Sequence, residues 1–437
     1  MNVLLVPDTI FWITGEIALS IVKHNPEINF LVCSGNVLQK ILIKKPHILN
    51  KIQLVHFLCP YISKKQLKYF TGNIPVVTTI HHVSSLKEME HNLESNAVMV
   101  VSPEWLDYFK LKGYSKPSFV LVPNGIDPGV FEPVSANQKN YLRKKIKIKD
   151  EFLIGFFGKK SSDSFGRKGV DIFLEAAKKL IGIEKKISFL IVGQGWKDVV
   201  KTLNEHKIKN IWVDYVVNHE KLSDLYNTLD CYWITSRIEG GPVTLLEAMS
   251  CGIPCITTKV GIANSIIIDG ENGLLIPFND SDKIVLQTLK LINEPTLRKK
   301  ISIKSRISIL NNYDIKVTSR NIKDLYSNAI LDFSNSEVSS GRNIFGKIAS
   351  LPNHLGNDLS SLGLQPIINS HEKNWINKEE VYYWLKLCLN SSYIEFLKTS
   401  LKLVKEDLKR TYYLFPYVVK VSFRVFTKKF LRKLFNN

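Results

Sequence analysis

Two carboxylates, Glu239 and Glu247, stand eight positions apart in the stretch SRIEGGPVTLLEAMSCGIPCITT, residues 236–258. The spacing and punctuation predict a loop that turns into a helix and then into a strand. Pro242 suits the first helical position, where a missing N–H costs nothing. Val243 to Met249 carry the helix, Gly252 suits the residue just past its end, and Pro254 forbids continuation. Cys255–Thr258 reads as a short buried strand. Gly240 and Gly241 leave the backbone bare at the helix entrance, and with the first N–H groups at Val243 they favour an anion there. One carboxylate then lies just outside an anion site and the other about a turn and a half inside the helix. That arrangement suits a phosphate flanked by two polyols, as in a nucleotide sugar. The blander alternative, a strand–loop–helix unit with two solvated glutamates, leaves the paired glycines and Pro242 unexplained.

A second basic loop follows the apolar run Leu153–Phe157: Gly158-Lys159-Lys160 and then Arg167-Lys168-Gly169. Taken alone it reads as solvated surface lysines. Beside the carboxylate stretch it reads as a second grip on an anion, with Arg167 able to bind phosphate bidentately where a lysine acts as a point charge.

The 236–258 stretch resembles the EX7E signature of retaining GT-B glycosyltransferases of family 4. The resemblance implies an α/β chain of two facing Rossmann-like domains, with the helix at 313–331 returning to the N-terminal one. It also implies that Glu239 contacts the donor sugar near the reacting centre and that Glu247 accepts hydrogen bonds from the ribose hydroxyls. Family members grip the donor diphosphate with Gly-Arg, a short spacer and Lys-Gly. Lys168-Gly169 matches the second half, whereas Lys159 stands where arginine is usual and the spacer is longer, a role Arg167 can fill. His81, after the run Val76–Ile80, matches a family histidine that contacts the transferred sugar. The usual Gly-Gly loop near the N-terminus is replaced by PDTIFWITGE, where Gly15 still allows close approach to the donor phosphate and Trp12 can shape the acceptor pocket. Gly193-Gln194-Gly195 fits a loop near the nucleotide.

Sugar transfer breaks the anomeric C–O bond, leaving positive charge on the sugar and negative charge on the departing diphosphate. Fixed cations and backbone N–H groups stabilise that leaving group. The single DxD, Asp280-Ser281-Asp282, reads as a helix start, where acidic residues suit the dipole; a metal-independent enzyme without a cofactor is therefore expected, the nucleotide sugar being a substrate. The resemblance implies retention of configuration by a same-face route. Two alternatives stay open: a nucleotide-sugar epimerase on the same fold, or a non-catalytic sugar-binding relative.

The elements that must position these residues alternate short apolar runs with helical patterns. Val3–Pro7, Phe30–Ser34, Leu54–Leu58, Val76–Ile80, Ala97–Val101 and Phe119–Val122 are expected parallel strands, with crossover helices such as Glu16–His24 between them. Leu153–Phe157, Ser188–Val192, Ile211–Val213, Cys231–Thr235, Cys255–Thr258 and Gly273–Ile276 repeat the scheme. The expected organisation is an acceptor domain over 1–140, a nucleotide-sugar domain over 141–331, a linker over 332–377 and a basic helical tail over 378–437.

At 437 residues the chain can hold two or three cores. Hydrophobic content of 45% and charged content of 23% are those of a globular protein. Met1–Val6 lacks a basic n-region and reads as a strand rather than a signal peptide, and no apolar run reaches the length of a membrane span. The six cysteines, Cys33, Cys59, Cys231, Cys251, Cys255 and Cys388, form no CxxC pair and read as buried, reduced thiols of a cytoplasmic protein rather than zinc ligands. A net charge of +19 calls for an anionic partner. From Leu408 to Asn437 there are eight basic residues and no acidic one. Phe423, Phe426, Phe430, Leu431 and Leu434 share a helical face opposite Arg424, Lys428, Lys429 and Arg432. This reads either as an amphipathic helix on an anionic membrane surface, at about 1 kcal/mol per basic residue, or as a helix docked on the protein body. No nucleic-acid motif accompanies the charge.

Overall fold

The computed structural model describes residues 1–8, 13–44, 46–60, 66–70, 72–81, 93–160, 164–214, 216, 218–339, 364–366 and 375–377. Trp12, Cys388, the tail from 378 and most of the expected linker lie outside them.

The chain packs as two compact units, one of Met1–Val77 with the residues from Ile330 onward and one of Thr78–Ala329. In the first unit, β1 (Asn2–Val6), β2 (Asn29–Val32) and β3 (Leu54–Phe57) form a parallel array with β1 in the middle. These runs are Val-, Leu- and Phe-rich and buried on both faces, as a covered parallel sheet requires. The helix Ile13–His24 follows β1, with Gly15 buried in its first turn.

The second unit begins inside β4 (Val76–Ile80), which is followed by β5 (Ala97–Val100) and β6 (Ser118–Leu121), parallel to β5. A separate six-stranded sheet comprises β7 (Phe152–Phe157), β8 (Ile187–Val192), β9 (Asn210–Val213), β10 (Cys231–Ile234), β11 (Cys255–Thr258) and β12 (Leu274–Ile276). Its order, β12-β11-β10-β7-β8-β9, is that of a doubly wound Rossmann sheet, with the strand order reversing between β7 and β10. All five neighbouring pairs in it are parallel. Aromatic contacts tie the sheet to the helix Val170–Ile183: Phe156 stacks on Phe173 at 4.3 Å, and Phe189 and Trp233 meet Phe173 edge-on.

The expected strands recur within a residue or two. The sheets change between β6 and β7, and the packing boundary falls within β4. The helix expected over 313–331 runs from Ile315 to Ser339, since nothing in residues 332–339 breaks it. Leu364–Pro366 and Trp375–Asn377 are short antiparallel strands. Cys33, Cys59, Cys231, Cys251 and Cys255 are buried thiols, and burial pushes Cys251 up to about 12. No helix among the described residues is long and apolar enough to cross a membrane.

Candidate functional site

The strand order of the six-stranded sheet opens a crevice outside the carboxyl ends of β7 and β10, the place where open α/β sheets bind ligands. The loop after β7 carries Lys159, Arg167 and Lys168, and the loop after β10 carries Glu239, Gly240 and Gly241. Topology thus brings together residues about seventy positions apart.

Glu239 is the hub. Its Oε1 lies 3.0 Å from Nζ of Lys168 and 3.5 Å from Nη1 of Arg167, and accepts a hydrogen bond from Ser236 Oγ at 3.1 Å. The side chain is only 14% exposed. Burial is the largest single influence and opposes ionisation. The two cations, with hydrogen bonds from Lys168 and Ser236, outweigh it and hold the carboxyl below the ordinary glutamate range.

Lys168 is fixed by backbone geometry. Gly169 caps the helix Val170–Ile183 with φ of 62°, and a Cβ there would lie 2.0 Å from the Thr235 carbonyl oxygen. Thr235 Oγ1, at the end of β10, donates to the Lys168 and Gly169 carbonyls at 2.9 and 2.8 Å. The Arg167 carbonyl accepts from the Arg237 N–H at 2.7 Å, and Arg237 clasps Asp171 through both terminal nitrogens at 2.9 and 2.7 Å. Lys159 is exposed on a turn held by the Gly193–Gly195 loop: Lys160 N donates to Gln194 O, and Trp196 Nε1 donates to Gly158 O at 2.7 Å.

The helix over the second carboxylate spans Val243–Ser250. Pro242 is its N-cap rather than its first residue: φ of −62° would serve either position, but ψ of 102° is extended. At the other end Gly252, with φ of 68°, completes a Schellman turn: Ile253 N donates to Ala248 O and Gly252 N to Met249 O. Glu247 is 7% exposed and its Oε2 accepts from Tyr226 Oη at 2.7 Å. Burial pushes the Tyr226 phenol far up, so it keeps the proton that it donates.

Gly240 answers to packing. A Cβ there would lie 1.3 Å from the His81 carbonyl oxygen. Asn124 Nδ2 donates to Gly241 O at 3.1 Å, and Ile262 N donates to Gly240 O at 2.8 Å. His81, the residue after β4, thus touches the loop through its backbone; His82 lies outside the described residues. Asp280 caps the helix Ser281–Asn293 by accepting from Lys283 N at 2.8 Å, and Asp282 pairs with Lys179 at 2.8 Å. The DxD is therefore engaged as a helix start. Gly15 belongs to the other compact unit.

Sequence reasoning singled out the carboxylates, cations and glycines but missed Ser236, Tyr226, Thr235 and Asn124. Asn124 carried a signal as part of the turn Pro123-Asn124-Gly125; the others are ordinary loop and helix residues until the sheet is assembled.

Residues 138–307 match the family described as "Glycosyl transferases group 1". The chain is similar to the UDP-Gal:alpha-D-GlcNAc-diphosphoundecaprenol alpha-1,3-galactosyltransferase of Escherichia coli, 29% identical over 224 residues, covering 48% of this chain and 54% of that protein. It spans little more than half the length of the first relatives it matches. Among solved structures it is similar to sucrose-phosphate synthase from Thermosynechococcus elongatus, with a TM-score of 0.65, 15% identity, and 76% of this chain and 100% of that one covered. It is also similar to Anabaena HepE in complex with UDP, with a TM-score of 0.64, 16% identity, and 75% and 100% covered. At these identities the likeness concerns the fold, which is GT-B with two Rossmann-like parallel-sheet domains.

Proposed function

We propose that this chain, whose residues 138–307 are those of a group 1 glycosyltransferase, is a retaining, metal-independent hexosyltransferase of family 4. It moves a sugar from a nucleotide-sugar donor to a glycan or lipid-linked acceptor in the synthesis of surface polysaccharide or glycolipid. The observation that carries this reading is the buried Glu239 carboxylate set between Lys168 and Arg167 at the β7/β10 crevice.

In this reading the donor diphosphate takes Lys168, Arg167 and Lys159, with the N–H groups of Gly240, Gly241 and Val243 at the helix entrance. Glu239 then receives hydroxyls of the transferred sugar, Glu247 those of the ribose, and the His81 ring lines the donor. The anomeric C–O bond breaks and its electron pair goes to the diphosphate. The acceptor oxygen bonds to the anomeric carbon from the same face, and its proton passes to the leaving phosphate oxygen. The cations stabilise the developing charge in a site that is already organised. The names of the relatives, one acting from UDP-Gal onto a diphosphoundecaprenol acceptor and one solved with UDP, support this substrate class.

A thermal-shift panel of UDP-, GDP-, ADP- and TDP-sugars tests the reading: one donor should stabilise the protein and support transfer with retained anomeric configuration. No stabilisation by any of them, or strong inhibition by EDTA, would remove it. We place the enzyme in the cytoplasm, held reversibly on the inner membrane face by the basic tail. Truncation after residue 405 should release it from anionic liposomes; undiminished binding would refute that role.

A further inference from the structure

Two adjacent side chains on one helical turn reach the two loops that carry and cover the Glu239 peptide. Trp105 Nε1, on the helix Pro103–Leu111, donates to the Glu239 carbonyl at 3.3 Å. Its neighbour Glu104 accepts from the Gly261 N–H. Those loops are themselves in contact. A Cβ at Gly261 would lie 1.8 Å from the Gly240 oxygen and 2.8 Å from the Glu239 oxygen.

We propose that Glu104 and Trp105 are positioning residues that hold the Glu239 peptide, Trp105 directly and Glu104 through the Gly261 loop, so that its carboxylate presents one orientation to the donor sugar. This rests on the transferase reading above. Among the described residues, the side chain of Glu239 is bound to Lys168 and Arg167, the groups that the donor claims in that reading, and to Ser236. Its aim in the donor complex is therefore set mainly by its backbone, and the helix turn fixes that backbone. Trp105 is 8% exposed, which shields its contact from competing water, whereas Glu104 is itself exposed and meets the Gly261 N–H at the edge of the loop. Burial is the larger influence on Glu104 and raises its pKa, while the Gly261 bond opposes it. A misplacement of an ångström at a reacting group can cost about a hundredfold in rate, and a supporting shell prevents such a shift.

The test separates positioning from packing. Trp105→Phe keeps an aromatic ring against Tyr108 and deletes the N–H. Glu104→Ala deletes the acceptor, while Glu104→Gln keeps a carbonyl oxygen. Trp105→Phe and Glu104→Ala should each lower kcat about tenfold, with donor KM within about twofold and Tm unchanged, and Glu104→Gln should recover most of the rate. A kcat unchanged in both, or a loss that tracks Tm, overturns the inference. Hydrogen exchange reads it without reference to transfer. Amides of 239–241 and 261 should exchange faster in Trp105→Phe and Glu104→Ala than in wild type, and equal exchange overturns the inference. Failure of the wild-type chain to transfer any sugar overturns only the function on which it rests.

Discussion

The ammonium of Lys168 and the carboxylate of Glu239, 3.0 Å apart, join the loops that leave β7 and β10 at the reversal of the strand order. In the proposed function these are the cation for the diphosphate and the acid for the sugar, and on that reading donor binding exchanges one partner of Lys168 for another.

Glu239→Gln separates the two roles. Transfer should fall at least about a hundredfold, the scale of losing a charge-organising group in an active site, while the fold is retained. Calorimetric titration with UDP, or with the diphosphate of whichever base the donor carries, should show tighter binding than wild type, because the cations lose a competing anion. Weaker binding would mean that Glu239 does not compete for them.

Lys168→Ala acts in the opposite sense. Charge-assisted hydrogen bonds contribute about 1.5–3 kcal/mol, so nucleoside diphosphate affinity should fall about ten- to a hundredfold, with weaker salt dependence. Lys168→Arg should restore part of it. An unchanged dissociation constant would remove Lys168 from the diphosphate grip.

Gly240→Ala should be severe, because the new methyl meets the His81 carbonyl oxygen at 1.3 Å and backbone must move. A loss at or above about 3 kcal/mol is expected, the upper range of overpacking. Gly166→Ala, with nothing within 4 Å of the new atom, serves as the control, and should stay within about 0.5 kcal/mol. Equal melting curves for the two would contradict the close approach.

Asp230 predicts the pH dependence of stability. Burial is the largest influence on it and opposes its charge, but Lys139 and Arg143, each at 2.8 Å, and the Leu153 N–H at 2.9 Å hold its pKa below the usual aspartate value. A depressed folded pKa contributes stability above the unfolded value of about 4 that is lost as pH falls through the lower folded value. Asp230→Asn should destabilise by about 3 kcal/mol at pH 7. The gap from wild type should close below pH 4 in denaturant titrations; a gap independent of pH would refute the pairing.

Much of the fold was legible because parallel strands buried on both faces leave unbroken apolar runs, and β4 and β11 begin and end where their runs do. The helix after Pro242 was legible from its punctuation, although ψ at Pro242, which places it just outside the helix, depends on how the Glu239–Gly241 loop is threaded. Tyr226 beside Glu247, Lys168 beside Glu239, and Trp105 against the Glu239 carbonyl were not legible. Their partners lie on other helices or loops, and pairing between distant segments leaves no period in the chain.

The sequence by itself determined the local vocabulary: strands from buried apolar runs, a helix entrance beside two glycines, and acids and cations of the right kinds. Those follow from propensities that act over a few residues. Tertiary structure alone decided which acid meets which cation, because that depends on the β12-β11-β10-β7-β8-β9 order that sets β7 beside β10. It also decided that Gly240 must be glycine for the His81 carbonyl that lies against it, a contact between loops far apart in the chain.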